Sequence, residues 1–256
     1  MQSIDINADM GESTTLWPWL LENDLSLLPY VSAVNIACGY HAGDAHTIRR
    51  LSEAATAAGV AVGAHPGFPD RDNFGRSAMH FTQPEIYDML LYQLAATDAL
   101  VRAAGTRLVH VKPHGALYNM AALDPELSFT ICRAVRDFNP ALRVYALSGS
   151  SLVTAAESLS LATRSEVFSD RTYTEQGTLT PRSQPGAVIE SADQAIRQAM
   201  QMVTTGTVTT PAGSTITVKA DTVCVHADGK RALALAKNLH RELLQHHISV
   251  TSQPPV

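Results

Sequence analysis

Cysteine is scarce in this 256-residue chain. Cys38, Cys132 and Cys224 are odd in number, far apart and lack a CxxC pair, which argues against a disulfide framework or structural zinc and fits a reducing, cytoplasmic setting. Long apolar runs are missing too. No stretch approaches the roughly 20 residues of a membrane span, and Met1-Gln2-Ser3-Ile4-Asp5 has neither the basic start nor the apolar run of a signal peptide. Positive charge is in short supply: 19 Lys and Arg stand against 24 Asp and Glu, a net charge of -5, so nothing electrostatic favours nucleic acid or an anionic membrane as partner. Phosphate-binding glycine loops of the GxxxxGKS/T or GxGxxG type are absent. Any ATP used needs a site built otherwise or carried on another chain. No composition break or low-complexity tract divides the sequence. Residues 1–256 read as one domain, able at 45% hydrophobic content to bury a barrel-sized core.

Against these absences one pattern repeats. It runs through Asp5-Ile6-Asn7-Ala8-Asp9, Asn35-Ile36-Ala37-Cys38-Gly39-Tyr40-His41, Gly63-Ala64-His65, His110-Val111-Lys112-Pro113-His114, Glu166-Val167-Phe168-Ser169-Asp170 and Cys224-Val225-His226-Ala227-Asp228. Polar or small residues take one parity and Val, Ile or Ala the other. Successive strand side chains point to opposite faces, so one face is apolar and the other carries Asn, Asp, His, Lys and Glu. A doubly wound sheet needs two apolar faces, because helices cover both. A closed parallel barrel packs one face on helices and turns the other to its axis, where polar groups near the C-terminal strand ends converge. The pattern predicts a TIM-barrel-like α/β enzyme.

Seven strands are expected, at roughly 2–7, 31–37, 60–65, 107–112, 142–147, 164–168 and 221–226. Helices separate most of them. Asp44 caps one that runs through Ile48, Leu51 and Ala55 to Gly59; Thr82-Gln83-Pro84-Glu85 is a capping box opening a long one that Gly105 stops; Asp124-Pro125 starts another. Further helices fit 149–161, 191–203 and 229–246. Residues 66–82 form a long Gly/Pro/Asp-rich loop, and residues 207–219 read as an inserted β-hairpin turning at Pro211-Ala212-Gly213.

The histidines are not scattered. His41, His65, His110, His114 and His226 lie at or just after strand ends, beside Asn7, Asp9, Lys112, Glu166, Asp170 and Asp228, which predicts a functional cluster. His80, His240, His246 and His247 read as solvated. Lys112 faces the axis, either to hold a substrate anion or to form an internal ion pair with Glu166 or Asp170. Asp9, inward by parity, is a better general base than Glu12. Asp9 with His41 and His46 resembles the metal triad of polysaccharide deacetylases, but the favoured reading makes Asp44 a helix cap and His46 an exposed second helical residue, so no metal is expected. In the 66–82 loop Arg76 can grip an anion bidentately and Arg71 can pair with Asp70 or Asp72. Arg171 and Arg182 flank a loop that can close over a ligand. Asn7, Glu12, Asn35, His41, Arg76, His110, Glu166, Asp170, Arg171 and Arg182 are accordingly the candidate substrate-binding residues.

Longer motifs point to a family. Asn7-Ala8-Asp9-Met10-Gly11-Glu12, Asn35 to Asp44, Gly63-Ala64-His65-Pro66, Asn73-Phe74-Gly75-Arg76, His110 to Tyr118, Glu166 to Arg171, Pro181 to Ala187 and Val225 to Gly229 closely resemble the LamB/YcsF family, to which the A component of bacterial ATP-dependent 5-oxoprolinase belongs. The match runs from residue 4 to about 248. It departs at Ala227-Asp228-Gly229 and Gly11-Glu12-Ser13, where the family usually reads Gly-Asp-Gly and Gly-Glu-Gly. The resemblance implies a seven-stranded barrel of the glycoside hydrolase/deacetylase class. It also implies ATP-coupled opening of 5-oxo-L-proline to L-glutamate in complex with subunits B and C, with Mg²⁺ accompanying the ATP. On that reading Lys112 and Arg76 bind anions, Asp9 activates water, and His65, His114 and His226 move protons or orient groups, with the division among the histidines open. Two other readings stand beside it: a stand-alone metal-dependent hydrolase of an N-acyl or sugar substrate, and a non-catalytic subunit that binds a small acid.

Overall fold

In β1 (Ser3–Met10) the alternation is complete: Ile4, Ile6, Ala8 and Met10 are buried apolar residues, and Asp5, Asn7 and Asp9 between them are buried polar ones. Both faces are therefore covered, one by hydrocarbon and one by hydrogen-bonding partners. This computed structural model describes residues 2–226 and 232–252. Residues 227–231, with Asp228, and the side chain of His226 lie outside that description, as do residues 1 and 253–256.

Around β1 run β2 (Ala33–Ala37), β3 (Ala61–His65), β4 (His110–Val111), β5 (Arg143–Leu147) and β6 (Thr163–Phe168). A small antiparallel hairpin follows, β7 (Thr207–Thr209) with β8 (Thr215–Thr217), and then β9 (Thr222–His226). Every neighbouring pair from β1 to β6 is parallel, β6 pairs with β9, and β9 returns to β1 in the register Asp5↔Thr222 to Asp9↔His226. The sheet is closed into a barrel of seven parallel strands. The hairpin falls inside the 207–219 segment expected for it. β10 (Ser249–Val250) adds a short parallel edge beside Ser3 and Ile4, which the sequence pattern did not reveal because two residues carry no periodicity.

The helices are α1 (Leu21–Leu27), α2 (Ala45–Ala57), α3 (Gln83–Ala103), α4 (Gly115–Ala121), α5 (Pro125–Phe138), α6 (Ser151–Ser158), α7 (Ala192–Thr205) and α8 (Ala232–Gln245). Their starts follow local chemistry. Asp44 accepts from Thr47 N, Thr82 and Glu85 form the reciprocal capping box, and Asp124 accepts from Glu126 N and Leu127 N with Pro125 in the first turn. α1 and α4 were not anticipated. α4 starts two residues after Pro113, which has no N–H to donate to a ladder, and β4 is shorter than the expected 107–112. Apolar helix faces such as Leu90, Leu94 and Val101 of α3 pack on the outward residues of the strands. Among the described residues no helix is long and apolar enough to cross a membrane.

Candidate active site

The inward face stacks its polar side chains in tiers. At the base, Asp5 accepts from Ser32 Oγ at 2.5 Å and from Thr222 Oγ1 at 2.7 Å, and bonds the Tyr145 hydroxyl. Burial raises its carboxyl pKa above the ordinary value despite these donors. One tier up, Asn7 Nδ2 donates to Glu166 Oε1 at 2.9 Å and Thr222 Oγ1 at 2.8 Å, while its Oδ1 accepts from Asn35 Nδ2 at 2.7 Å. His110 Nε2 donates to Asn35 Oδ1 at 2.6 Å, and its ring stacks on Tyr145 at 4.0 Å. Residue 63 must be glycine here, since a Cβ would sit 2.1 Å from His110 Nε2. Burial and the charge of Lys112 push His110 down to about 3, so it is neutral.

The upper tier is ionic. Lys112 Nζ lies 2.9 Å from Asp9 Oδ1 and 2.7 Å from Glu166 Oε1, with Asn7 Oδ1 at 3.2 Å and Cys224 Sγ at 3.1 Å. Burial alone would discharge the amine, but Asp9, Cys224 and Glu166 hold its pKa well above the ordinary lysine value. Of the two roles read for Lys112 the structure forms the internal ion pair, with Glu166 and Asp9 as its carboxylates. Tyr118 of α4 donates to the other oxygen of Glu166 at 2.6 Å.

Beside Asp9, the loop after β1 carries Glu12 into a nest of imidazoles. Glu12 Oε1 is 3.0 Å from His41 Nε2, 2.9 Å from His114 Nδ1 and 3.5 Å from His65 Nε2. Burial would raise the Glu12 carboxyl, yet His114 and His41 hold it well below the usual range. The His41 ring stacks flat on His114 at 3.7 Å, and burial with the neighbouring His114 pushes it down to about 3. For His65 burial works the other way from its surroundings, and Asp9 and Glu12 win, raising its pKa. The turn at Phe74 and Gly75 supports the nest from outside. Phe74 adopts φ 57°, a left-handed conformation unusual for an aromatic residue, and its carbonyl oxygen accepts from His114 Nε2 at 2.8 Å. Arg71 ties this loop to the one after β2 by donating to Gly39 O and Gly43 O, both at 2.7 Å, rather than serving the acidic neighbours expected for it. On the other side Asp24 accepts from Gly11 N and Trp19 Nε1, bracing the Glu12 loop, and burial lifts its carboxyl to about 6.

Above this floor opens a cavity of about 630 Å³. Asp9, Glu12, His65, Lys112 and His114 border it, and so do Arg76, Arg171 and Arg182 from the loops above. Arg171 is buried, donating to Thr180 O at 2.6 Å and Ala187 O at 3.1 Å; burial and the nearby Arg182 lower its pKa to about 10, leaving it charged. Asn7, Asn35, His41, His110, Glu166 and Asp170 do not border the cavity. His41 and Glu166 instead back the residues that do, and His110 sits a tier lower. His46 is exposed in the first turn of α2, away from the buried His41, as expected.

The profile of the LamB/YcsF family matches residues 4–256. The chain belongs to the LamB/YcsF family. Among curated relatives it is similar to the A component of the 5-oxoprolinase of Brevibacillus brevis, 47% identical over 253 residues and covering 99% of either chain. Among solved structures it resembles the lactam utilization protein from Thermus thermophilus, with a TM-score of 0.91, 39% identity and coverage of 98% of this chain and 100% of that one. A family 4 carbohydrate esterase from Streptomyces lividans shares the fold, with a TM-score of 0.53 at 12% identity. In this LamB/YcsF member Tyr118, Cys224 and Asp24 enter the site without having been singled out. Tyr118 stood within the His110 to Tyr118 motif, and a buried helix start there was the missing signal; Cys224 stood at the inward parity of its strand segment, and Asp24 carried no signal.

Proposed function

We propose that this chain acts in the cytoplasm as the A component of a 5-oxoprolinase, opening 5-oxo-L-proline to L-glutamate with ATP in a complex with subunits B and C. The observation that carries the reading is a shared cavity: Arg76, Arg171 and Arg182 from the loops line the same space as Asp9, Glu12, His65 and His114 of the floor. A small lactam acid has a carboxylate at one end and an amide at the other. It can therefore meet a cationic rim and an acid–base floor in one pose. Kinship with the A components of 5-oxoprolinases supports the same substrate class.

Opening a five-membered lactam is poorly driven in water, so the γ-phosphoryl group of ATP, with Mg²⁺ as its companion, is transferred to the amide oxygen and ADP leaves. Water, its proton taken by Asp9, adds to the activated carbon. The ring C–N bond then breaks as the nitrogen takes a proton, and a second water hydrolyses the acyl phosphate to glutamate and phosphate. The ammonium of Lys112, 2.9 Å from Asp9 Oδ1, holds that carboxylate in place. The anion grip passes to the three arginines, because the ammonium of Lys112 is committed to Asp9 and Glu166. His65 and His114 orient the floor beside Asp9, and the proton that Asp9 takes from water passes to the departing nitrogen. ATP is assigned to the assembled complex, since the sequence has no phosphate-binding glycine loop.

The test is glutamate release from 5-oxoproline plus ATP, with this chain alone and then with subunits B and C, for wild type and Asp9→Asn. Release only from the complete mixture, reduced ~10²–10⁴-fold by Asp9→Asn, is the expected result. A complete mixture that never forms glutamate overturns the function, and near-normal turnover with Asp9→Asn overturns the role given to that carboxylate.

A further inference from the structure

Two histidines in the floor face each other in a way that neutral rings cannot sustain. His65 Nδ1 lies 2.7 Å from the carbonyl oxygen of Lys112, and His114 Nε2 lies 2.8 Å from that of Phe74. A carbonyl oxygen only accepts, so each of these nitrogens carries the hydrogen of its ring. The remaining nitrogens, His65 Nε2 and His114 Nδ1, then point bare lone pairs at each other across 2.9 Å. Glu12 Oε1 adds a third electron-pair donor, 2.9 Å from His114 Nδ1 and 3.5 Å from His65 Nε2. Three donors this close need a cation among them.

A proton on His114 Nδ1 relieves the two edges that meet there and leaves His65 Nε2 and Glu12 Oε1 facing each other at 3.5 Å; a metal ion relieves all three. Edges of this length suit ligand atoms around an ion with bonds of about 2.0–2.2 Å. Donation of the far ring hydrogen to a main-chain carbonyl is the usual support of a metal-binding histidine, fixing tautomer and orientation. His41 Nε2, 3.0 Å from Glu12 Oε1, braces the carboxylate in the same manner. The charge around the triangle agrees. Asp9, Glu12 and Glu166 are buried beside the ammonium of Lys112, so a proton leaves the group negative while a dication brings it to neutrality. All three donor residues border the cavity, which leaves coordination positions open toward a ligand.

We propose that Glu12, His65 and His114 form a binding site for one transition-metal dication, with Glu12 Oε1, His65 Nε2 and His114 Nδ1 as its ligand atoms. Two imidazoles with one carboxylate suit Zn²⁺, Mn²⁺ or Co²⁺ over Mg²⁺ or Ca²⁺. The site departs from the metal-free expectation drawn from the sequence, which weighed a His41–His46 pair that the fold does not assemble. It goes beyond the lactam reading and does not depend on it.

The purified chain, stripped with chelator and equilibrated with Zn²⁺, Mn²⁺ or Co²⁺, is assayed for bound metal by mass spectrometry and, with Co²⁺, by visible absorption. One equivalent per chain is expected, with the d–d bands of a low-coordinate, nitrogen-ligated cobalt. Glu12→Gln and His114→Ala lose that equivalent while retaining the wild-type circular dichroism, and His41→Ala weakens it ~10–100-fold. Wild-type protein that takes up none of the three ions overturns the site, as does tight binding that survives both Glu12→Gln and His114→Ala. Should those variants fail to fold, wild-type stoichiometry and the cobalt spectrum decide by themselves.

Discussion

The base and the mouth of this barrel are both lined with buried polar groups, yet they are put together differently. At the base Asp5, Ser32, Thr222 and Tyr145 close on one another through hydrogen bonds. That arrangement is self-contained. At the mouth Lys112, Asp9 and Glu166 are joined as ions, the rings of His65 and His114 oppose each other, and the open side gives onto the cavity. Inward polarity alone therefore does not mark a site in a barrel. What marks it is ionised groups gathered next to a space that a ligand can enter.

The comparison breaks most visibly at Lys112. Lys112→Met strips the cation from two buried carboxylates, so it should lower unfolding free energy by ~3–5 kcal/mol and abolish glutamate release. Urea unfolding with near wild-type stability would remove the ionic character assigned to the mouth. The next effect is at Asp24, the brace behind the Glu12 loop. Its folded carboxyl titrates at about 6 against 3.8 for the ordinary group, so the unfolded chain releases this proton first as pH rises. Below pH 3.8 Asp24 contributes nothing to the pH dependence; from there to about pH 6 stability falls, by up to ~3 kcal/mol at about 1.36 kcal/mol per pKa unit. Asp24→Asn should flatten this decline, and urea midpoints of wild type and variant that run parallel from about pH 4 to 7 would contradict it. Smallest is Tyr145→Phe at the base. It removes one hydrogen bond to Asp5, should cost ~0.5–1.5 kcal/mol, and should leave kcat unchanged; a kcat loss there would erase the distinction between the two ends.

Much of the fold was legible because strand parity is a local property. Asp5, Asn7 and Asp9 against Ile4, Ile6, Ala8 and Met10 state which face looks inward before any partner is known. The capping residues Asp44, Thr82 and Asp124 were equally local, and each caps the helix expected of it. The site was legible only in outline. His110 and His114 lie on one strand and its extension at the same parity, and nothing in the sequence distinguishes the one stacked on Tyr145 from the one at the cavity. The choice of carboxylates by Lys112 was equally hidden. Asp9 is 103 residues away, and Cys224, 112 residues away, completes the same pocket. Such pairings arise from the register of closure between strands, which short-range periodicity does not record. Tyr118 was missed for a related reason, because the strand signal before Pro113 masked the helix that follows it.

The pairing of β1 with β9 has a consequence for the life history of the chain. Lys112 draws its partners from the first, sixth and last barrel strands, and the contact from Asn7 to Thr222 spans 215 residues. A ribosome must deliver the chain past Thr222 before the barrel around this ammonium can close, and a contact that distant is slow to form. Until then the carboxylates remain hydrated and the reaction chamber does not exist. Closure of the chamber is thereby tied to the synthesis of β9, because a fragment ending before Thr222 lacks the strand that joins β6 to β1.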